Sequence, residues 1–247
     1  MTMKLNRALA MSAALLAAQG VSADTLGVFA GIGVWTPSYN GDITSDNNTI
    51  DVENELGFDD STFLTGYVAL EHPVPGLPNV RLGYTELSEQ ASGTLTKTFR
   101  GVSFNGDVTT DFDLTHTDVT AYWRLLDNVV NLDLGLQAKF FDGEIKVVQT
   151  TPVARSERVD VSEVLPLAYV GAGIDLPLTG LSVGGNVAGI GYSGNRLLDV
   201  TASVKYEINV IGVEAGYRSF DVQLDDVDNV DFDLRVGGPF VSAFVHF

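Results

Sequence analysis

The sequence predicts an all-β fold: a transmembrane antiparallel up-and-down β-barrel of about ten strands, with eight or twelve as the neighbouring counts. Three observations lead there. Val130 to Phe140 reads V-N-L-D-L-G-L-Q-A-K-F, with Val130, Leu132, Leu134, Leu136, Ala138 and Phe140 on one side of an extended strand and Asn131, Asp133, Gly135, Gln137 and Lys139 on the other. Its length suits a tilted strand crossing a bilayer, about 9–11 residues. Similar alternating stretches recur along the chain, separated by connections that are short at one end and longer or acidic at the other.

The chain has 247 residues, a length that all-β domains reach undivided. Lys4 and Arg7, the apolar run Ala8 to Ala18 and the small-residue site Val21-Ser22-Ala23 read as an export signal over residues 1–23, leaving residues 24–247 as the barrel domain. After residue 23 no apolar run approaches the 18 residues of a helical span, which excludes a helical membrane protein but not a barrel. The chain has no cysteine, so it has neither disulfides nor thiol ligands. A formal charge of −18, two more negative without Lys4 and Arg7, argues against nucleic acid as a partner.

The mature chain opens with Leu26, Val28, Ala30, Ile32 and Val34 alternating with Gly27, Phe29, Gly31, Gly33 and Trp35, the tryptophan expected at the membrane interface. Residues 36–61 read as a long polar outward loop. A second strand covers 64–71, and Pro73 to Asn79 makes a tight connection. The third strand starts at Val80 and is expected to run on to Phe104, turning at Asn105-Gly106-Asp107 into a return strand over 108–126. Asp127-Asn128 turns into the fifth strand, which continues past a bulge at Asp142-Gly143 toward Val148. Residues 150–160 read as a second outward loop. The sixth strand covers 168–176, and the glycine-rich seventh begins at Leu181. Ser193-Gly194-Asn195 and a turn near Asn209 flank the eighth strand, 198–206. The ninth contains Val213, Ala215 and Tyr217, residues 225–229 form an acidic loop, and the tenth ends at Phe247.

A terminal Phe247 preceded by Val245, Ala243 and Val241 resembles the C-terminal signature of bacterial outer-membrane barrels. With the Gly237-Gly238 pair, the signal and the length, the chain resembles a Gram-negative family named for such a Gly-Gly pair. The resemblance implies a place in the cell outer membrane, contact with outer-membrane lipid and lipopolysaccharide, recognition by the barrel-assembly machinery through Val241, Ala243, Val245 and Phe247, and no assigned reaction. Pro239 departs from the alternation and is expected to mark a bulge.

The alternation directs Glu71, Arg81, Asp118, Arg124, Asp133, Lys139, Asp175, Asp199, Lys205, Glu207, Glu214 and Arg218 to the lumen. Mixed signs can pair there, whereas one sign alone would be costly to bury. Since a barrel of eight strands has room only for side chains, the expectation is a mostly plugged lumen in a monomeric structural or surface protein. A narrow channel for small solutes is the alternative. Of His72, His116 and His246, only His116 has an acid at same-face spacing, Asp118. An enzyme acting on envelope lipid or peptide would use that pair, but no motif supplies a nucleophile, so no catalytic residue is assigned. The acidic stretches 42–60 and 225–233 offer oxygen ligands suited to divalent cations, without the calcium-loop pattern. Neither a cofactor nor a metal site is expected. A soluble periplasmic β-sandwich is the remaining rival, with the apolar faces packed inward.

Overall fold

The computed structural model describes residues 26–45, 47–227 and 230–247. The expected export signal at 1–23 and the tip of the 225–229 loop lie outside them. Among the described residues eighteen strands follow one another: β1 (Gly27–Trp35), β2 (Ser38–Ser45), β3 (Asn48–Asp51), β4 (Phe63–Glu71), β5 (Asn79–Thr85), β6 (Ser88–Leu95), β7 (Thr98–Phe99), β8 (Val102–Ser103) and β9 (Gly106–Asp113) come first. The second half holds β10 (His116–Asp127), β11 (Val130–Phe141), β12 (Gly143–Gln149), β13 (Arg155–Val161), β14 (Val164–Leu176), β15 (Leu181–Tyr192), β16 (Asn195–Ile208), β17 (Ile211–Val227) and β18 (Val230–His246).

Ten of these close a barrel in the order β1-β4-β5-β10-β11-β14-β15-β16-β17-β18, the last pairing antiparallel with the first from Phe29↔His246 to Trp35↔Phe240. Closure leaves no open edge in the ring, the condition for a sheet to lie in hydrocarbon. Every barrel strand turns large apolar side chains outward: Ile32, Leu64, Leu82, Leu125, Leu136, Val170, Val183, Val204, Val213 and Val241 are all exposed. Such a continuous apolar girdle is what lipid covers. In the opening stretch, Leu134 and Leu136 face out while Gln137 and Lys139 are buried within, as the alternation requires.

The start of β1 and Phe247 lie at the same end of the barrel as the tight turns at 177–180 and 209–210, the end that faces the periplasm in this class. At the other end the strands continue into an extracellular cap. Here the structure departs from the sequence reading. Residues 36–61 hold β2 and β3 instead of an irregular loop. β2 pairs with the upper half of β18, from Ser38↔Gly237 to Ser45↔Val230. Ser38, Asn40, Asp42 and Thr44 make its outer face, while Tyr39 and Ile43 point inward. The expected third strand breaks after Thr85, and β6 joins a second sheet, β13-β12-β9-β6. The expected turn at 105–107 is not the hairpin tip: Gly106 already pairs with Leu95, and the chain reverses at Arg100-Gly101, both with positive φ, so that Phe99 and Phe104 enter the cap core. The return strand likewise breaks at 114–115, where Leu114 turns inward. Residues 155–160, read as loop, belong to β13, paired with β12. At 225–229 the strand β17 runs on to Val227.

Trp35 is a further correction. It is 1% exposed and sits inside the barrel, where its Nε1 donates to the Gly238 carbonyl at 3.2 Å. The bulge expected at Pro239 is absent, because β17 and β18 stay in register there. Instead Pro239 falls where β18 exchanges one neighbour, β1, for another, β2. The chain corner at 36–37 crosses so closely that a Cβ on Gly238 would lie 2.0 Å from the Thr36 carbonyl oxygen. Only glycine fits at that position.

Candidate functional site: the barrel interior

The lumen contains one large cavity of about 690 Å³, lined from Trp35, Thr85 and Asp199 at its upper end to Leu176, Gly180 and Asn209 at the periplasmic turns. Small inward residues make the space. Gly83 and Gly171 face it with only looser contacts of 3.2 Å or more around a would-be Cβ, whereas Gly31 is demanded by packing, since its Cβ would meet the Tyr67 ring at 2.4 Å. Above the cavity, Trp35, Leu167, Leu197, Phe141 and Phe220 are buried in one continuous apolar cluster with the cap residues Tyr39, Phe58, Leu87 and Phe112. The cavity is thus a cup whose extracellular end is closed by an apolar core, and whose mouth is periplasmic.

Ten of the twelve charged residues assigned to the lumen by alternation fall into three groups, and Asp175 and Arg81 stand apart. Against the apolar floor, Lys139 Nζ lies 2.8 Å from Asp118 Oδ1 and 3.1 Å from Asp199 Oδ2. Arg218 donates to both oxygens of Asp199, from Nε at 2.9 Å and Nη2 at 2.6 Å, and from Nη1 to Thr85 Oγ1 at 2.8 Å. Two cations and two carboxylates balance, and the Lys139 side chain is 0% exposed. Nearer the mouth, Arg124 grips Glu71 with Nη1 and Nη2, both at 2.7 Å, and Asp133 with Nε at 3.0 Å; the Tyr122 hydroxyl donates to Glu71 at 2.8 Å. On the far wall Lys205 stands 3.9 Å from Glu214, which accepts from Ser203 at 2.6 Å, and Glu207 meets His246 at 3.2 Å. Asp175 accepts from Asn131 at 3.2 Å. Arg81 lies over the Tyr67 ring, 4.1 Å from its centroid.

His116 and Asp118 both face inward but serve different partners. His116, 2% exposed, directs Nδ1 to the Leu114 carbonyl at 2.9 Å, which places its proton there; Nε2 is then left to accept from Arg218 Nη2 at 3.2 Å. Asp118 faces Lys139. His116, Asp118 and Asp199 have ligand atoms close enough to enclose a metal ion. The Lys139 ammonium, held between the two carboxylates, already supplies the cation, so the donor set does not fit a metal.

Trp35, Tyr122, Gln137, Ser203 and His246 also face the lumen and were not among the residues read as a site. For three of them the signal is in the sequence, since each shares its strand's parity with an assigned charge: Tyr122 with Arg124, Gln137 with Lys139, Ser203 with Lys205. His246 is the alternation partner of Phe244 and Ser242, which the sequence alone marks only as polar or bulky.

No protein-family model matches the chain, and no curated protein matches it. Solved structures do. The outer-membrane protease OmpT of Escherichia coli superposes with a TM-score of 0.51 at 8% identity, covering 93% of this chain and 99% of its own. The chain folds as an outer-membrane β-barrel. Its apolar girdle and closed ring place it in the cell outer membrane. The translocator domain of the autotransporter NalP from Neisseria meningitidis is similar at a TM-score of 0.46 and 11% identity, covering 99% of this chain and 95% of its own. Ail, the attachment invasion locus protein of Yersinia pestis, is similar at 0.36 and 12%, covering 90% and 99%.

Proposed function

We propose that this barrel is a plugged outer-membrane protein with a structural or surface role, and that it neither conducts solutes across the membrane nor carries out a reaction. The observation that carries the reading is the floor of the cup: the Asp118–Lys139–Asp199–Arg218 group backed by Trp35, Leu167 and Phe220, continuous with the core of the cap. A solute crossing the lumen would have to break that charge group and then part an apolar core. The protease fold invites comparison with a surface hydrolase. Such an enzyme needs its acid and base open to the substrate, whereas His116 and Asp118 lie beneath the cap and are engaged by Leu114, Arg218 and Lys139.

The cap is then the surface-presenting part, and its acidic outer face would meet lipopolysaccharide and any divalent cations shared there. Val241, Ala243, Val245 and Phe247 serve as the barrel-assembly signal, presented at the seam strand, and the protein is monomeric. Planar-bilayer recording of the purified protein tests the plug: the expected trace has no single-channel steps. Regular steps from the intact protein would overturn the reading and restore the narrow channel.

A further inference from the structure

We infer that the periplasmic cup is a binding site for a small oxyanion, a carboxylate or a phosphate, with Arg81 as its anchor. The inference goes beyond the structural role proposed above. The carboxylates of the cavity already have partners: Glu71 and Asp133 in Arg124, Asp118 and Asp199 in Lys139 and Arg218, Glu207 in His246, Glu214 in Ser203 and Lys205, and Asp175 in the Asn131 amide. Arg81 differs from these cations. Among the described residues it has no carboxylate within 4.0 Å, yet it lines the cavity wall. Tyr67 supports the guanidinium from one side at 4.1 Å, which fixes its plane and leaves its donor edge for a planar or tetrahedral oxyanion. Gly83, two residues away on the same inward face of β5, adds no side chain of its own to the cavity, and a Cβ there would meet Asp118 at 3.5 Å. Tyr169 and Phe29 add aromatic surface to the same cavity, and about 690 Å³ accommodates a guest of metabolite size. Because the floor is closed, the guest enters from the periplasm.

Two probes distinguish the sources of the anion, sodium benzoate and inorganic phosphate, each titrated calorimetrically into the detergent-solubilised protein at low salt. Saturable binding of either one is expected, weakened at least about tenfold by Arg81→Gln, a loss typical of one charge-assisted contact. Arg235→Gln, on the exposed cap, leaves it unchanged. The unaltered protein gives an independent readout: phenylglyoxal should modify Arg81 ahead of Arg124 and Arg218, as mapped by mass spectrometry, and the bound anion should protect it. No saturable binding of either anion, equal affinity in Arg81→Gln, or modification of Arg81 that neither anion slows would each overturn the inference.

Discussion

Lys139 on β11 and Asp199 on β16 meet at 3.1 Å across the interior of the barrel, although two strands, β14 and β15, separate theirs in the ring. The contact is a strut through the lumen, not a rung of the sheet, and it fixes the barrel's cross-section. Replacing Lys139 with Ala leaves Asp118 and Asp199 facing each other beneath an apolar floor, with only Arg218 to offset them. Breaking a buried pair in this way costs roughly 3–5 kcal/mol. The expected result is a lower temperature for losing the fast-migrating folded band on a denaturing gel, with a part of the loss recovered in Lys139→Met combined with Asp199→Asn.

The two tryptophans should report opposite environments. Trp35 lies within the barrel beside Arg218, whose guanidinium is 5.0 Å from its ring centroid, while Trp123 faces outward and is 41% exposed. In vesicles of brominated lipid, emission of the native protein should be quenched in part, and Trp123→Phe should remove nearly all of that quenching. If Trp35→Phe removes it instead, the assignment of Trp35 to the interior is wrong.

The absence of cysteine makes single-thiol mapping clean. Leu77, in the turn before β5, and Val153, between β12 and β13, are both well exposed at opposite ends of the molecule. A bulky maleimide that cannot cross the outer membrane should label Val153→Cys on intact cells. It should reach Leu77→Cys only after the membrane is permeabilised. The reverse pattern would invert the barrel and turn the mouth of the cup outward.

In the cap, Asp51 accepts from the Asn54 backbone N–H at 2.8 Å and from its side-chain amide at 2.9 Å. These bonds hold its carboxyl below the usual carboxylate range, with Lys97 assisting. A lowered folded value means that the contribution is in place above the unfolded value, about 3.9, and fades as pH falls through the folded one. Hydrogen exchange of residues 48–57, corrected for the intrinsic pH dependence of the chemistry, should therefore rise below about pH 4. Asn54→Ala should raise exchange at neutral pH and flatten that response. An unchanged pH profile in the variant would show that the turn owes nothing to Asp51.

How much of this was written in the sequence follows from what each face touches. β11 and β16 were legible because lipid on one side and a charged lumen on the other enforce strict alternation between extremes. β2 and β13 were not, because their outer face meets water: Asp42, Asn40, Arg155 and Glu157 look like loop residues until Tyr39 and Ile43 are seen to share an inward face. The lumen charges were legible by parity alone, but their partners were not. Nothing local says that Lys139 reaches Asp199 or that Arg81 stacks on Tyr67. Trp35 is ambiguous in the sequence because a tryptophan at a strand end fits an interfacial belt as well as a core, and only the Gly238 carbonyl decides between them.

The seam strand β18 has two successive neighbours on one flank, β1 below Pro239 and β2 above it. Both partners come from the first part of the chain, some two hundred residues earlier, so ring closure and the β2–β18 pairing of the cap both wait for the final strand. One zippering event then seals the membrane domain and latches the surface domain together. A chain ending before Val230 would therefore lose both at once and leave the cell an open sheet instead of a weakened barrel, whereas one ending at Pro239 would keep the latch and lose the seal.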